Sequence, residues 1–330
     1  MKPHIAVLSV LLAIGAGLFL VSGVIWLTVV LAVVVTIYRL LSRWKIRDRT
    51  VFIVLKGFVV FVLVFLFGLL VKVLCFEVYS ISSSSMAPSL VPGDVVVVNK
   101  MAVGSRLPQS LADLPWLNVL FSQGRDTDEK RHSAIWENRR LAGISQIKKG
   151  DMLVFVPPWH EDQFFVKRCT GLPGDTVTVS DAVLKNPPPE MRSGYLRSID
   201  PAWTIYNFGP FILPKKGLDI VLDNQSYAAY NGIMRDFEGV DVTKTEDGRF
   251  LAGEKEVRDY TFTKNYYFMA GDNRRDSQDS RYFGPVPEEN IIGRADLVLL
   301  SFGGKSFRWK RLLKLIRNDA VNSYEPDFDQ

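Results

Sequence analysis

From Ile5 to Tyr38 the chain carries no charged side chain, a run of 34 residues. As one helix this run would extend roughly 50 Å, well past a hydrocarbon core of about 30 Å. Two short helices turning near Ser22-Gly23 fit that length better than a single tilted span. A second run, Val51 to Leu74, is long enough to cross once, with Lys56 and Lys72 near its ends, where long side chains reach the headgroups. A cleaved signal peptide does not account for this start, because the apolar stretch is far too long and a second span follows it.

Between the runs, RLLSRWKIRDR sets Arg39, Arg43, Lys45, Arg47 and Arg49 against Asp48 alone. The positive-inside bias makes this loop, residues 39–50, cytoplasmic and puts everything after Leu74 outside the cytoplasm. The net charge of +5 owes much to this loop and to a basic tail, so it does not argue for nucleic acid. Aromatic-plus-basic patterning of the nucleic-acid-binding kind is absent too.

Short β-branched runs follow the membrane-like part: Asp94–Lys100, Met152–Val156, Phe164–Cys169, Thr176–Val179, Tyr266–Met269 and Leu297–Ser301, most of them bounded by Gly, Pro or Asp. Helical periodicity is scarce, so the soluble part is expected to be mainly β, with irregular strands. Two stretches interrupt the pattern. Residues 101–149 are mixed and charged, with room for one or two short helices. Residues 184–264, containing KNPPPE and DNQSYAAYNGI, have the make-up of a small subdomain. In the tail, KSFRWKRLLKLIR places Trp309, Leu312, Leu313 and Ile316 on one helical face ringed by basic residues. Such a helix suits either an anionic membrane surface or packing on its own domain.

The chemistry has few carriers. Two cysteines, Cys75 and Cys169, give neither a disulfide framework nor metal spacing, and suit buried apolar positions. Three histidines, none beside a Ser-x-Gly elbow, supply a Ser-His-Asp site poorly. The run SISSSSMAPSLVPGD, residues 80–94, offers hydroxyls but no base. A lysine can serve if its amine is kept dry: at an ordinary pKa of about 10.4 only one molecule in a few thousand is neutral at pH 7, and burial lowers that value. Lys167 in QFFVKRCTGLPGD sits in an apolar strand whose alternation puts Phe165, Lys167 and Cys169 on one face. An edge lysine with a solvated tip fits the same pattern.

Four segments resolve the choice by resemblance. SSMAPSLVPGD (84–94), KKGDMLVFVPP (148–158), VKRCTGLPGD (166–175) and GDNRRDSQDSRYFGPVP (271–287) resemble, in order, the boxes of bacterial type I signal peptidases. The resemblance implies a Ser/Lys dyad, with Ser85 as nucleophile and Lys167 as general base. It implies that Ser83 joins the Ser85 N–H in the oxyanion hole and that Ser277 orients the lysine amine. Asp279 with Arg281 matches a structural ion pair, and Gly271, Asp272, Asn273 and Arg274 match the turn that positions them. Arg275-Asp276 departs from the commoner Asp-Asn, while Ser82 and Ser84 match no catalytic position. Tyr79, Ile81, Met86, Leu90, Phe165 and Val166 are implied as lining shallow pockets for small residues of an Ala-x-Ala cleavage site, the substrate being held as an added strand. Relatives of the endoplasmic-reticulum type carry histidine at the position of Lys167, which favours the bacterial type.

The organisation implied is a membrane anchor over 1–75 with two or three transmembrane helices, an extracytoplasmic irregular β-rich peptidase domain over 76–304, and a basic tail over 305–330. The location is the bacterial cytoplasmic membrane. Partners implied are exported preproteins and membrane lipid, with the secretion translocon nearby and no nucleic acid; no cofactor and no metal is implied. Three other readings stay open. They are a soluble-type self-cleaving repressor protease on the same fold, an idle membrane-anchored scaffold, and a processing peptidase dedicated to few clients. The membrane runs speak against the first, and the joint presence of Ser83, Ser85, Lys167 and Ser277 against the second.

Overall fold

The structure, a computed structural model, describes residues 49–107, 140–157, 163–179, 207–304 and 306–316. The expected helices before Tyr38, the basic loop up to Asp48, the middle of the 101–149 stretch and the chain beyond Ile316 lie outside these residues. Chain contacts divide the protein into two compact units: Met1–Glu77 with Lys100–Ser145, and Val78–Asn99 with Gln146–Gln330.

In the first unit, α1 (Arg49–Leu74) runs for 26 residues without a proline. The last carbonyls of a helix have no partner within it, and here a short second helix supplies donors. From α2 (Lys100–Val103), Lys100 N–H reaches Cys75 O at 2.9 Å and Lys100 Nζ reaches Lys72 O at 3.0 Å. The same ammonium pairs with Glu77 at 2.7 Å, and the Ser105 hydroxyl donates to Leu74 O. Leu74 and Cys75 are buried against Met101, Leu107 and Leu141. Counted over the described residues alone, no helix is long and apolar enough to cross a membrane, although α1 reads RTVFIVLKGFVVFVLVFLFGLLVKVL, with Arg49, Lys56 and Lys72 its only charges.

The second unit is built on strands, as its β-branched runs predict. They are β1 (Phe76–Ser80), whose first residues belong to the other unit, then β2 (Asp94–Asn99), β3 (Met152–Phe155), β4 (Phe165–Gly171), β5 (Thr176–Val179), β6 (Phe208–Ile212), β7 (Asp219–Val221) and β8 (Val242–Lys244). There follow β9 (Phe250–Ala252), β10 (Lys255–Glu256), β11 (Asp259–Thr261), β12 (Tyr266–Ala270), β13 (Val286–Pro287), β14 (Ile291–Gly303), β15 (Ser306–Phe307) and β16 (Lys314–Leu315). The main sheet runs β1-β2-β14-β3-β4-β12-β13, with β15 and β16 also on β14. Its pairings from β2 to β13 are antiparallel. The expected strand Leu297–Ser301 is the later half of β14, which spans 13 residues and shifts register against both β2 and β3. Ile81, Met86, Leu90, Val96, Val98, Met152, Val154, Ile292, Ala295 and Val298 form one core.

The described part of the 184–264 stretch has a core of its own. Phe208, Phe211, Leu213, Leu222, Tyr230, Ile233, Met234, Val242, Phe250 and Phe262 pack together and onto Tyr266 and Phe268 of β12. Small sheets β5-β6, β7-β11 and β8-β9-β10 surround α3 (Asn224–Ile233), whose N-terminus is closed by a capping box between Asp223 and Ser226.

The tail departs from expectation. Residues 306–316 form no amphipathic α-helix; they run as β15, a 3-10 turn at Trp309–Arg311 and β16, folded back along β14. Two causes override the periodicity, one distant in sequence and one local. Arg311 is drawn onto the fully buried Asp94, at 2.8 and 2.5 Å, and onto Ser89 O at 2.9 Å. Leu313 sits at φ 51, in the left-handed region that stops a helix. The apolar side chains of Trp309, Leu312, Leu313 and Leu315 are consequently left exposed instead of sharing one helical face.

Candidate active site

The serine run lies in the loop between β1 and β2, and a neck closes that loop. Ile81 N–H donates to Asp94 O and Gly93 N–H to Ile81 O, each at 2.8 Å. Gly93 sits at φ 90, where a Cβ would strike the backbone of Phe302. Within the loop, Met86 and Leu90 are sunk into the core. That anchorage fixes Ser85, the residue before Met86, while Ser82 and Ser83 remain exposed. Ser85 itself is only 8% exposed.

Lys167 comes from the middle of β4, paired with Leu153 of β3. It is 4% exposed, and its Nζ lies 2.6 Å from Ser85 Oγ. Phe165 lies beneath the amine, 5.4 Å from Nζ to ring centroid, and is itself in edge contact with Phe155 and Phe283. In such surroundings burial drives the amine from the ordinary lysine value of 10.5 down to about 8. Asp279, Asp272 and Asp276 work against that fall and Arg281 adds to it. The Ser83 hydroxyl lies 3.1 Å from that of Ser85. The arrangement brings a hydroxyl and a readily neutralised amine into contact, which is what activating a serine without histidine requires.

The segment after β12 holds the pair from the other side. Gly271 is there because nothing larger fits: a Cβ would lie 2.6 Å from Ser85 O and overlap the Ser277 side chain. Asn273 N–H donates to Ser85 O at 3.0 Å, and Asn273 Nδ2 to Ser84 O at 3.3 Å. Asp279 accepts Gly271 N–H at 2.9 Å and forms a two-point pair with Arg281, at 2.7 and 2.8 Å, both side chains fully buried. Arg281 also donates to Arg274 O at 2.9 Å. Ser277 is buried beside the cleft, and its Oγ has no hydrogen-bond partner.

A cleft of about 690 Å³ opens over these groups. Tyr79, Ile81, Met86, Phe165 and Val166 line it together with Ser83, Ser85, Lys167 and Ser277. Leu90, also expected in the pockets, is instead fully buried in the core. Sequence reasoning missed two contacts. Arg168, next to the lysine, clamps Asp272 at 2.7 and 2.6 Å and also holds Gly150 O at 2.7 Å, tying β4 to the segment after β12 and to the turn before β3. Ser84, which matches no catalytic position, donates to Asp276 at 2.6 Å. The signal for the first was a second charge, Arg168, inside an apolar strand; for the second there was only the unusual aspartate. Among the described residues no group of three or more His, Cys, Asp or Glu side chains could hold a metal ion.

Comparison with known proteins bears on the same residues. The family described as "Signal peptidase, peptidase S26" matches residues 54–300, three quarters of the chain. A Signal peptidase I of Pseudomonas aeruginosa is 29% identical over 236 residues, 68% of this chain and 65% of that protein. The Signal peptidase I of Buchnera aphidicola subsp. Baizongia pistaciae is 25% identical over 274 residues, 78% of this chain and 80% of its own length. A crystal structure of a signal peptidase I from Enterococcus faecalis V583 superposes at a TM-score of 0.21 and 22% identity, over 46% of this chain and 97% of that one, too slight a likeness to bear on the fold. The matched span begins inside α1 and ends within β14, enclosing the serine loop, the β4 lysine and the Gly271–Arg281 segment alike: the chain belongs to the signal peptidases of family S26.

Proposed function

We propose that this chain is a membrane-bound serine endopeptidase that removes N-terminal signal peptides from exported preproteins after small residues, with Ser85 as nucleophile and Lys167 as general base. The observation that carries the reading is the 2.6 Å contact between two buried side chains, Lys167 Nζ and Ser85 Oγ. With the amine neutral, the Ser85 O–H donates across this distance to Nζ. The hydroxyl oxygen attacks the scissile carbonyl carbon as its proton passes to Lys167. The oxyanion is met by the Ser85 N–H and the Ser83 hydroxyl, donors of a kind whose loss typically costs about a hundred-fold or more. Lys167 then returns the proton to the departing amine, which leaves as the new N-terminus of the mature protein. The signal peptide remains as an ester on Ser85. A water gives one proton to Lys167 and attacks that ester; Lys167 passes this proton to Ser85 Oγ as the C–O bond breaks, and the released peptide acid loses its remaining proton to solvent, restoring both side chains.

Asp279, Arg281, Asp272, Asn273 and Arg274 hold the segment that bonds the serine backbone in this reading, while Ser277, expected to orient the amine, lines the cleft without a hydrogen bond to it. Tyr79, Ile81, Met86, Phe165 and Val166 form the shallow apolar surface suited to small side chains. The membrane location is part of the proposal. The apolar runs Ile5–Tyr38 and Val51–Leu74 of the sequence support it, and Val54, Phe58, Val60, Phe61 and Val64 of α1 present large apolar surface. The basic residues 39–50 put the catalytic unit on the extracytoplasmic side of a bacterial cytoplasmic membrane, within reach of substrates leaving the translocon. The exposed Trp309, Leu313 and Leu315 with Lys310 and Lys314 suit contact with lipid without needing a helix.

The test is cleavage of an Ala-x-Ala preprotein in detergent or liposomes by the wild type, Ser85→Ala and Lys167→Ala, with the cut mapped by mass. Both variants should be inactive while folded; turnover near wild type in either would refute the dyad.

A further inference from the structure

We propose that Asp276 is a positioning residue of this site: its carboxylate receives the Ser84 hydroxyl across the mouth of the cleft and so fixes the backbone that carries Ser83 and Ser85. The inference rests on the serine-protease reading above and goes beyond it, since neither Ser84 nor Asp276 has a part in the dyad.

Three observations carry it. First, Ser84 stands between the two residues whose hydroxyls lie 3.1 Å apart, and residues 81–92 form no strand or helix, only bends and turns. Their conformation is set by cross-loop bonds, since no ladder holds them. Second, the cross-loop bonds that reach Ser84 and the Ser85 carbonyl come from one segment. Asn273 holds the carbonyls of Ser84 and Ser85, and Asp276 holds the Ser84 side chain at 2.6 Å, a length typical of a hydroxyl donating to a carboxylate. Third, that segment is itself fixed. Asp276 N–H donates to Asn273 O at 3.0 Å, and the ends of the turn are tied by Arg168–Asp272 and Arg281–Asp279. An exposed hydrogen bond adds little stability by itself. Here its effect is alignment, and small misplacements of reacting groups are costly in rate.

The carboxylate also brings a charge. The charged groups that act most on Lys167 come from the 272–281 segment: Asp279, Asp272 and Asp276, which favour the ammonium, and Arg281, which opposes it. β3 (MLVF) and β12 (YYFMA) present none, and residues 80–85 present only hydroxyls beside Ile81. Removing the Asp276 charge therefore makes the amine easier to deprotonate.

Substitutions separate the bond from the charge. Rates of preprotein cleavage would be measured from pH 6 to 10 with the full chain in detergent, alongside thermal unfolding. Ser84→Ala should lower kcat about five-fold with KM within two-fold, and leave the alkaline-rising limb where it is. Asp276→Asn, which keeps an acceptor oxygen, should hold kcat near wild type but move that limb toward acid by a few tenths of a pH unit. Asp276→Ala should do both, and adding Ser84→Ala to it should cost no further kcat. Ser84→Ala within two-fold of wild type, an unmoved limb in Asp276→Asn, or losses that multiply in the double variant would each overturn the proposal. Ser85→Ala is run beside them: residual cleavage there would sink the serine-protease reading itself, whereas its silence leaves any failure to Asp276 alone.

Discussion

Lys167 Nζ sits 2.6 Å from Ser85 Oγ, with Phe165 beneath the amine and solvent nearly excluded from both. Burial brings the amine to about 8, so at pH 7 about a tenth of molecules hold it neutral, against one in a few thousand for an ordinary lysine. The neutral form is the base. Cleavage should therefore rise with pH through 7 and 8 and level off above. A kcat/KM profile over pH 5.5–10 checks this, and a rising limb centred near 6 would mean that a different group takes the serine proton.

The same shift has a consequence for stability. A lysine whose pKa is lower folded than unfolded holds fewer protons in the folded state between about 8 and 10.5. Stability thus rises with pH through that window, and below it the cost of burying an ammonium is borne in full. A fall from 10.5 to about 8 corresponds to about 3 kcal/mol. Lys167→Met, which keeps volume and loses charge, should be inactive yet more stable than wild type at pH 7. The gap should narrow as pH rises toward 10.5. Urea unfolding of both proteins at pH 7 and 10 measures it; a variant less stable at pH 7 contradicts the burial argument.

What the sequence revealed follows from how local its causes are. Strands β2, β3, β4 and β12 were legible because β-branched and aromatic runs end at Gly, Pro or Asp, and Lys167 stood out as a charge inside one of them. Ser85 needed the neighbouring boxes, because four serines in a row are locally equivalent and only the burial of Met86 distinguishes one. The tail misled: its period of apolar residues is helical, but Arg311 bonds to Asp94, 217 positions away, and no window of sequence contains that pair. Leu90 misled in a smaller way. It belongs to the same apolar cluster as Ile81 and Met86, yet faces the core, not the cleft.

Asp279 and Arg281 form a fully buried pair at 2.7 and 2.8 Å. Breaking such a pair leaves a charge without compensation and typically costs about 3–5 kcal/mol. Asp279 also accepts the Gly271 N–H, so Asp279→Ala strands that backbone donor together with the Arg281 guanidinium. It should lower the unfolding midpoint in urea sharply and reduce cleavage with it. Arg281→Lys keeps the charge but loses the two-point geometry and the bond to Arg274 O; it should fall between wild type and Asp279→Ala in both measurements. Wild-type stability in Asp279→Ala would show the pair to be dispensable.

Gly271 is the closest approach in the site. A methyl at this position would lie 2.6 Å from the carbonyl oxygen of Ser85 and overlap the Ser277 side chain, and neither neighbour can retreat freely. Ser277 is buried, and Ser85 O is held by Asn273 N–H. Gly271→Ala should push the Ser85 backbone out of line with Lys167 while leaving the distant cores intact. A displacement of about 1 Å is worth on the order of a hundred-fold in rate, so kcat should fall by that order with KM changed far less. The unfolding midpoint should drop only modestly, because the strain is relieved by moving a loop. A variant that keeps wild-type kcat would mean the Ser85 carbonyl can shift without disturbing its hydroxyl, and the tight packing of the two segments would then have no bearing on catalysis.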